Sequence, residues 1–160
     1  MLEKIELLLL IVTANGTPIL LDDLLGRRWS WPLDGGLRFT DGRPLLGRSA
    51  TVRGLAGAIA ATTGLGLMLG FSVQTGALIG LLAMVGDALS SFVKRRFGLE
   101  PGKQALGLDQ IPESLLPLLA VKANRGLDWG DLGLLVLIFM LFSLGASRLL
   151  FRLKLRKRPY

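Results

Sequence analysis

Apolar residues in this chain fall in blocks: Ile5–Leu21, Leu55–Phe71, Val73–Phe92, a shorter Leu108–Val121, and Leu132–Phe151. A helix needs about 20 mostly apolar residues to cross the hydrocarbon of a bilayer, and several of these blocks approach that length. Polar stretches separate them, at about residues 26–54 and 93–109, and a basic tail closes the chain at about 152–160. The pattern predicts an all-α integral membrane protein: one polytopic domain over residues 1–160, with five transmembrane helices.

Composition agrees, with 51% hydrophobic and only 19% charged residues, less charge than a soluble domain carries. The first block is too long for a signal core, and no small-residue cleavage site follows a basic leader, so it is expected to stay as a permanent helix. The few uncharged residues around Ser72–Thr75 predict a tight hairpin between the second and third helices. Of the 19 basic residues, sixteen lie in the 26–54 stretch, in the 93–109 stretch or at the C-terminal end, and Lys4, Lys122 and Arg125 lie elsewhere. The positive-inside tendency then puts the N-terminus outside and the C-terminus in the cytoplasm, in a multi-pass protein of the cell membrane. Much of the net charge of +7 is read as orientation signal and attraction to anionic headgroups. Nucleic acid is not an expected partner, because the basic residues flank apolar spans without interleaved stacking aromatics. The chain has neither Cys nor His. That excludes disulfides, thiolate chemistry, a histidine base and histidine metal ligands, leaving carboxylates, cations, hydroxyls and a recruited metal.

Against this apolar background the polar residues stand out. Asp87 lies within the third block, where an ionisable group is costly and functional by default. In a helix, Asp87, Ser91, Lys94 and Gly98 share one face, which ends in the cations Lys94, Arg95 and Arg96. A carboxylate can hold a divalent cation and cations can hold phosphates, so this face offers half of a phosphoryl-transfer site. Asn15-Gly16-Thr17-Pro18 interrupts the first block. Its proline predicts a kink, and Asn15 is a candidate for pointing an amide into a polar cavity. The 26–54 stretch is dense in turn residues and arginines and reads as an ordered, functional loop. Asp109, with Glu113 one turn later, opens the fourth helix; a helix cap and a ligand role both remain open for Asp109. Gly76 and Gly80 form a GxxxG pair read as internal packing rather than dimerisation, and homo-oligomerisation stays open.

Gly86-Asp87, Ser91, Lys94-Arg95 and Gly98, followed by a glycine-containing loop and Leu108-Asp109, resemble the signature of CTP-dependent phosphatidate cytidylyltransferases. The short length, Asp109-Gln110, the Pro32–Gly36 and Asp41–Gly47 loop elements and Asn15–Pro18 look most like the archaeal branch of that family. The resemblance implies that CTP and an isoprenoid glycerol ether lipid phosphate, digeranylgeranylglyceryl phosphate, react in the bilayer to give a CDP-lipid and pyrophosphate. It implies a polar active-site cavity facing the cytoplasm and a Mg²⁺ cofactor held by Asp87 and Asp109, with Asp87, Lys94 and Asp109 as catalytic residues. Asn15, Asp41, Arg43, Thr51, Arg53, Ser91, Arg95, Arg96 and Gln110 become the substrate-binding set. The chain departs from the family pattern at Ala50, where the family usually has a lysine before the threonine, and at Gln110 and Pro112, where longer bacterial relatives have Arg and Asp. Glu113 is not placed among the metal ligands. The alternatives are a cytidylyltransferase for diacyl lipid and a non-catalytic ion or solute carrier using Asp87.

Overall fold

The computed structural model describes residues 2–26, 28–100, 103 and 105–152. Arg27, part of the glycine-containing loop and all of the basic tail beyond Arg152 lie outside the described residues. Five helices follow one another: α1 (Leu2–Leu25), α2 (Val52–Met68), α3 (Val73–Arg96), α4 (Gln110–Lys122) and α5 (Trp129–Arg152). Three of them, α1, α3 and α5, are long and apolar enough to cross a membrane; α2 is apolar but shorter.

The helix ends differ from the ends of the apolar blocks by a few residues because capping residues and turns, rather than the last apolar residue, set them. Thr51 caps α2 by accepting a hydrogen bond from Gly54 N, and Ser72 caps α3 by accepting one from Thr75 N. The expected interruption at Asn15–Pro18 is not a break, since α1 runs through Pro18. Asn15 Nδ2 donates to the Ile11 carbonyl at 2.9 Å and Thr17 Oγ1 to the Thr13 carbonyl at 2.7 Å. These side chains satisfy α1's own carbonyls around the proline. The face drawn from Asp87 to Gly98 also ends early. α3 stops at Arg96, and Gly98 takes φ +73°, with Gly98 N donating to Arg95 O and Leu99 N to Lys94 O. That left-handed C-terminal turn favours glycine.

Packing differs along the length of the bundle. Leu7, Leu10 and Ile11 of α1 meet Ile79 of α3, Leu118 and Val121 of α4, and Leu132, Leu135 and Phe139 of α5 in one buried apolar cluster. All belong to the half of the bundle where α1 and α5 begin. The buried polar residues Ser90, Ser91, Lys94, Arg95, Asp109, Gln110 and Ser114 gather in the other half. α2 docks on α3 through small residues instead of large ones. A Cβ on Gly76 would fall 2.8 Å from Thr63 Cα, and one on Gly80 2.9 Å from Ile59 Cα. The GxxxG pair is thus consumed inside the chain.

Candidate active site

The site forms where the C-terminal half of α3, the start of α4 and the 28–51 loop meet. Gly86 decides the closeness of α3 and α4. A Cβ there would lie 2.5 Å from the Pro112 carbonyl carbon and 2.6 Å from Glu113 N, so only glycine fits. Ser90 Oγ strengthens the contact, 2.9 Å from the Gly86 carbonyl oxygen and 2.7 Å from that of Leu108. Asp87 is carried against α4 as a result. Its side chain lies within hydrogen-bonding reach of Glu113, and Asp109 and Lys94 act on both acids electrostatically. Residue spacing along α3 gave no sign of Glu113, because the contact is made across two helices.

Asp109 stands at the N-cap position of α4 but makes no side-chain capping bond to it. Its Oδ1 pairs with Lys94 Nζ at 2.6 Å, and its Oδ2 accepts from Ala105 N at 2.9 Å. Lys94 Nζ also donates to the Lys103 carbonyl at 3.3 Å. Gln110, only 2% exposed, accepts from Gly107 N at 2.8 Å and so holds the loop leading into α4. Ser91 is equally buried beside this group.

The three consecutive cations have three different surroundings. Lys94 is spent on Asp109. Arg96 is spent on the loop: Nη1 contacts Asp41 at 2.5 Å, Nη2 donates to the Pro44 carbonyl at 2.5 Å, and the guanidinium lies over Phe39 and Phe92 at 4.7 and 5.0 Å. Phe39 and Phe92 themselves meet edge to face. Arg43 reaches the other way, donating to the Arg96 carbonyl and, at 3.4 Å, to that of Arg95. Arg43 thereby closes the open carbonyl end of α3. Arg95 differs from both. It is 2% exposed, and its Nε and Nη1 are buried with no hydrogen-bond partner. A guanidinium in that condition is costly to keep unless an anion completes it.

The loop over this end of α3 is ordered, as the turn residues predict. Residues 37–45 form a small hairpin, with Phe39 N donating to Arg43 O and Leu45 N to Leu37 O. Asp34 anchors it by accepting from Gly36 N at 2.9 Å, Leu46 N at 2.8 Å and Gly47 N at 3.3 Å. Burial pushes the Asp34 carboxyl up, but the three backbone donors outweigh burial and hold its pKa below the ordinary carboxylate value. Ala50 is buried, and its carbonyl accepts from Leu33 N at 2.8 Å. Arg53 does not point a free cation at the site: it pairs with Asp22 at 3.1 Å and donates to the carbonyls of Gly26 and Arg28, tying the end of α1 to α2. Of the expected substrate contacts, Arg95, Ser91 and Gln110 are gathered around Asp87 and Asp109. Thr51, Arg53, Arg43, Asp41 and Asn15 serve as caps, clamps and local bonds.

The acids suit a hard divalent cation. Two carboxylates in reach of each other, with a third nearby, present oxygen donors and repel one another until a positive charge is supplied. No three acidic residues converge tightly enough to cage an ion among the described residues. Mg²⁺ tolerates such a site, since it commonly takes one or two carboxylates and fills its shell with phosphate and water oxygens.

The chain is similar to known proteins along most of its length. The family model described as CarS-like CDP-archaeol synthase matches residues 1–160. The CDP-archaeol synthase of Hyperthermus butylicus is 38% identical over 128 residues, covering 76% of this chain and 73% of its own length. That of Pyrococcus furiosus is 30% identical over 157 residues, covering 92% and 90%. A solved structure, described as "Structural insight into an intramembrane enzyme for archaeal membrane lipids biosynthesis", superposes with a TM-score of 0.73 at 33% identity over 92% of this chain and 94% of that one. The helices and these relatives make this a multi-pass membrane protein that acts on CTP and a lipid phosphate, reactants for which the family generally requires a divalent metal. The carrier alternative falls away. This chain belongs to the CDP-archaeol synthase family and is a CTP-dependent cytidylyltransferase that forms CDP-archaeol.

Proposed function

We propose that the lipid substrate is digeranylgeranylglyceryl phosphate and that its phosphate attacks the α-phosphorus of CTP in line, at a site open to the cytoplasm. A phosphate oxygen of the lipid forms the new bond to the α-phosphorus. The bond from that phosphorus to the bridging oxygen breaks, and pyrophosphate leaves with the electron pair. The nucleophile arrives with the substrate and is already anionic, so no protein nucleophile is needed. That suits a chain lacking His and Cys. Catalysis then consists of aligning two anions and offsetting their charge.

The observation that carries this reading is Arg95, a buried guanidinium with two unpartnered N–H-bearing nitrogens within electrostatic reach of Asp109. Its free nitrogens bind phosphate oxygens. Lys94 keeps Asp109 oriented toward the same space, and Ser91 adds a neutral donor. Mg²⁺, held by Asp87 with Asp109 beside it, supplies positive charge to the phosphate oxygens when bound. Arg96, Arg43 and Asp41 act by fixing the 37–45 hairpin above the site, and Thr51 and Arg53 by fixing the start of α2.

The reading includes five crossings, an external N-terminus and a cytoplasmic C-terminus. Contacts between helix ends support the alternating course of the helices. Near the start of α1, Lys4 pairs with Asp131 of α5 and Glu3 with Arg125 after α4, while the end of α1 meets the start of α2 through Asp22–Arg53. With the tails left largely in the bilayer, selectivity rests on the glycerol phosphate and the first bonds of each chain.

The test is turnover of purified protein with CTP and Mg²⁺ across a panel of lipid phosphates, scored as CDP-lipid. The panel varies ether against ester linkage, glycerol stereochemistry and chain length. We expect preference for the isoprenoid ether substrate, with linkage and stereochemistry mattering more than tail length. Indifference to both, with a steep chain-length dependence, overturns the substrate assignment. Topology is checked separately by a Cys at Gly36, which should label only from the cytoplasmic side.

A further inference from the structure

We propose that Glu113 is the second carboxylate of the cation site, acting with Asp87, while Asp109 positions Lys94. The inference rests on the cytidylyl-transfer reading above and deepens it.

Register comes first. The α3–α4 contact at Gly86 leaves no room for a side chain against Pro112 and Glu113. That fixes Asp87, the next residue of α3, opposite the first turn of α4. Asp87 and Glu113 are both half-buried and within hydrogen-bonding reach of each other. A helix pair that brings two acids together in an apolar bundle needs something to hold them there.

Partners come second. The oxygens of Asp109 are already engaged, Oδ1 by Lys94 at 2.6 Å and Oδ2 by Ala105 N at 2.9 Å. Among the described residues, no ion pair involves Asp87 or Glu113. The nearby cations are committed elsewhere: Lys94 to Asp109 and Arg96 to Asp41.

A third observation is independent of the acids. Arg95, 2% exposed with Nε and Nη1 unpartnered, is a cation lacking an anion in the same half of the bundle. Asp109 acts electrostatically on Arg95 and on both acids, and so lies near all three. Acids lacking a cation and a cation lacking an anion do not pair directly. A divalent cation carrying phosphate oxygens satisfies both at once: Asp87 and Glu113 take the metal, and Arg95 takes the phosphate.

Mn²⁺ serves as the probe, its binding to the full-length protein in detergent followed by electron paramagnetic resonance without substrate. E113Q and D87N should each weaken Mn²⁺ binding by about 10-fold or more, and D109N should weaken it clearly less. Wild-type Mn²⁺ affinity in E113Q, with binding lost in D87N, overturns the role of Glu113 and leaves the cytidylyl-transfer site standing. Wild-type affinity in D87N as well removes Asp87 from the metal site and the inference with it. Should E113Q fail to fold, E113D poses the same question by shortening the side chain: a weakened affinity supports ligation, and an unchanged one overturns it.

Discussion

Where α1 and α5 begin, the cations of the bundle are matched: Lys4 with Asp131, Arg125 with Glu3, Arg125 also over Phe71 at 4.5 Å, and Lys122 over Trp129 at 4.7 Å. At the opposite end, among the described residues, Asp87 and Glu113 enter no ion pair and Arg95 keeps two unpartnered nitrogens, although Lys94, Arg96, Arg43 and Arg53 each hold a partner. Both ends are rich in ions, so charge alone does not mark the site. Incomplete pairing does. A folded chain tolerates an uncompensated buried ion at a stability cost, and function is the common reason to keep one.

The largest effect expected from breaking this contrast is at Asp87. Asp87→Asn should lower turnover by about 1000-fold or more, because an amide cannot supply the charge that a divalent ion needs. The unfolding temperature should hold, since the amide is similar in size and cheaper to bury. Mg²⁺-dependent CDP-lipid formation near the wild-type rate removes Asp87 from the site.

Arg95→Met sharpens the contrast from the cation side. We expect kcat/KM for CTP to fall by about 100-fold, the loss of one or two charge-assisted hydrogen bonds to phosphate. Stability should stay level or rise, because two nitrogens of the native guanidinium are buried without a hydrogen-bond partner. A large drop in unfolding temperature instead identifies Arg95 as a paired structural residue.

Arg125→Gln is the control at the matched end. It should cost about 1 kcal/mol of stability through the lost Glu3 and Phe71 contacts. It should leave kcat/KM within about twofold of wild type. A loss of activity as deep as that of Arg95→Met would end the distinction between the two ends.

The smallest effect concerns pH and the hairpin above the site. The Asp34 carboxyl has a depressed pKa in the fold, so its contribution to loop order is complete above its ordinary value of 3.8 and fades as pH falls through the folded value below it. Fluorescence of Trp29 and Trp31, in a background with Trp129 replaced by Phe, should report loosening only in that acidic range. Asp34→Asn should loosen the loop already at neutral pH and remove the transition.

Much of this was open to sequence reading because it depends on residue type and on spacing within one element. Apolar block length marks helices that lie in lipid. An acid in such a block stands out whatever surrounds it, and the turn residues of the 26–54 stretch declare an ordered loop through their own backbone preferences. Spacing along α3 put Asp87, Ser91 and Lys94 on one face, and set Gly76 and Gly80 one turn apart where the helix closes against α2. Residue type could not tell which cation was already occupied. Lys94, Arg95 and Arg96 look alike in sequence, and their different fates are set by Asp109, by the hairpin and by the lack of either. Nor could spacing find Glu113, because its nearness to Asp87 comes from two helices meeting at Gly86. Single-chain periodicity carries information about one helix's own faces. Which faces meet, and which charges stay unpaired when they do, is decided only when the packed bundle removes water from some groups and supplies partners to others.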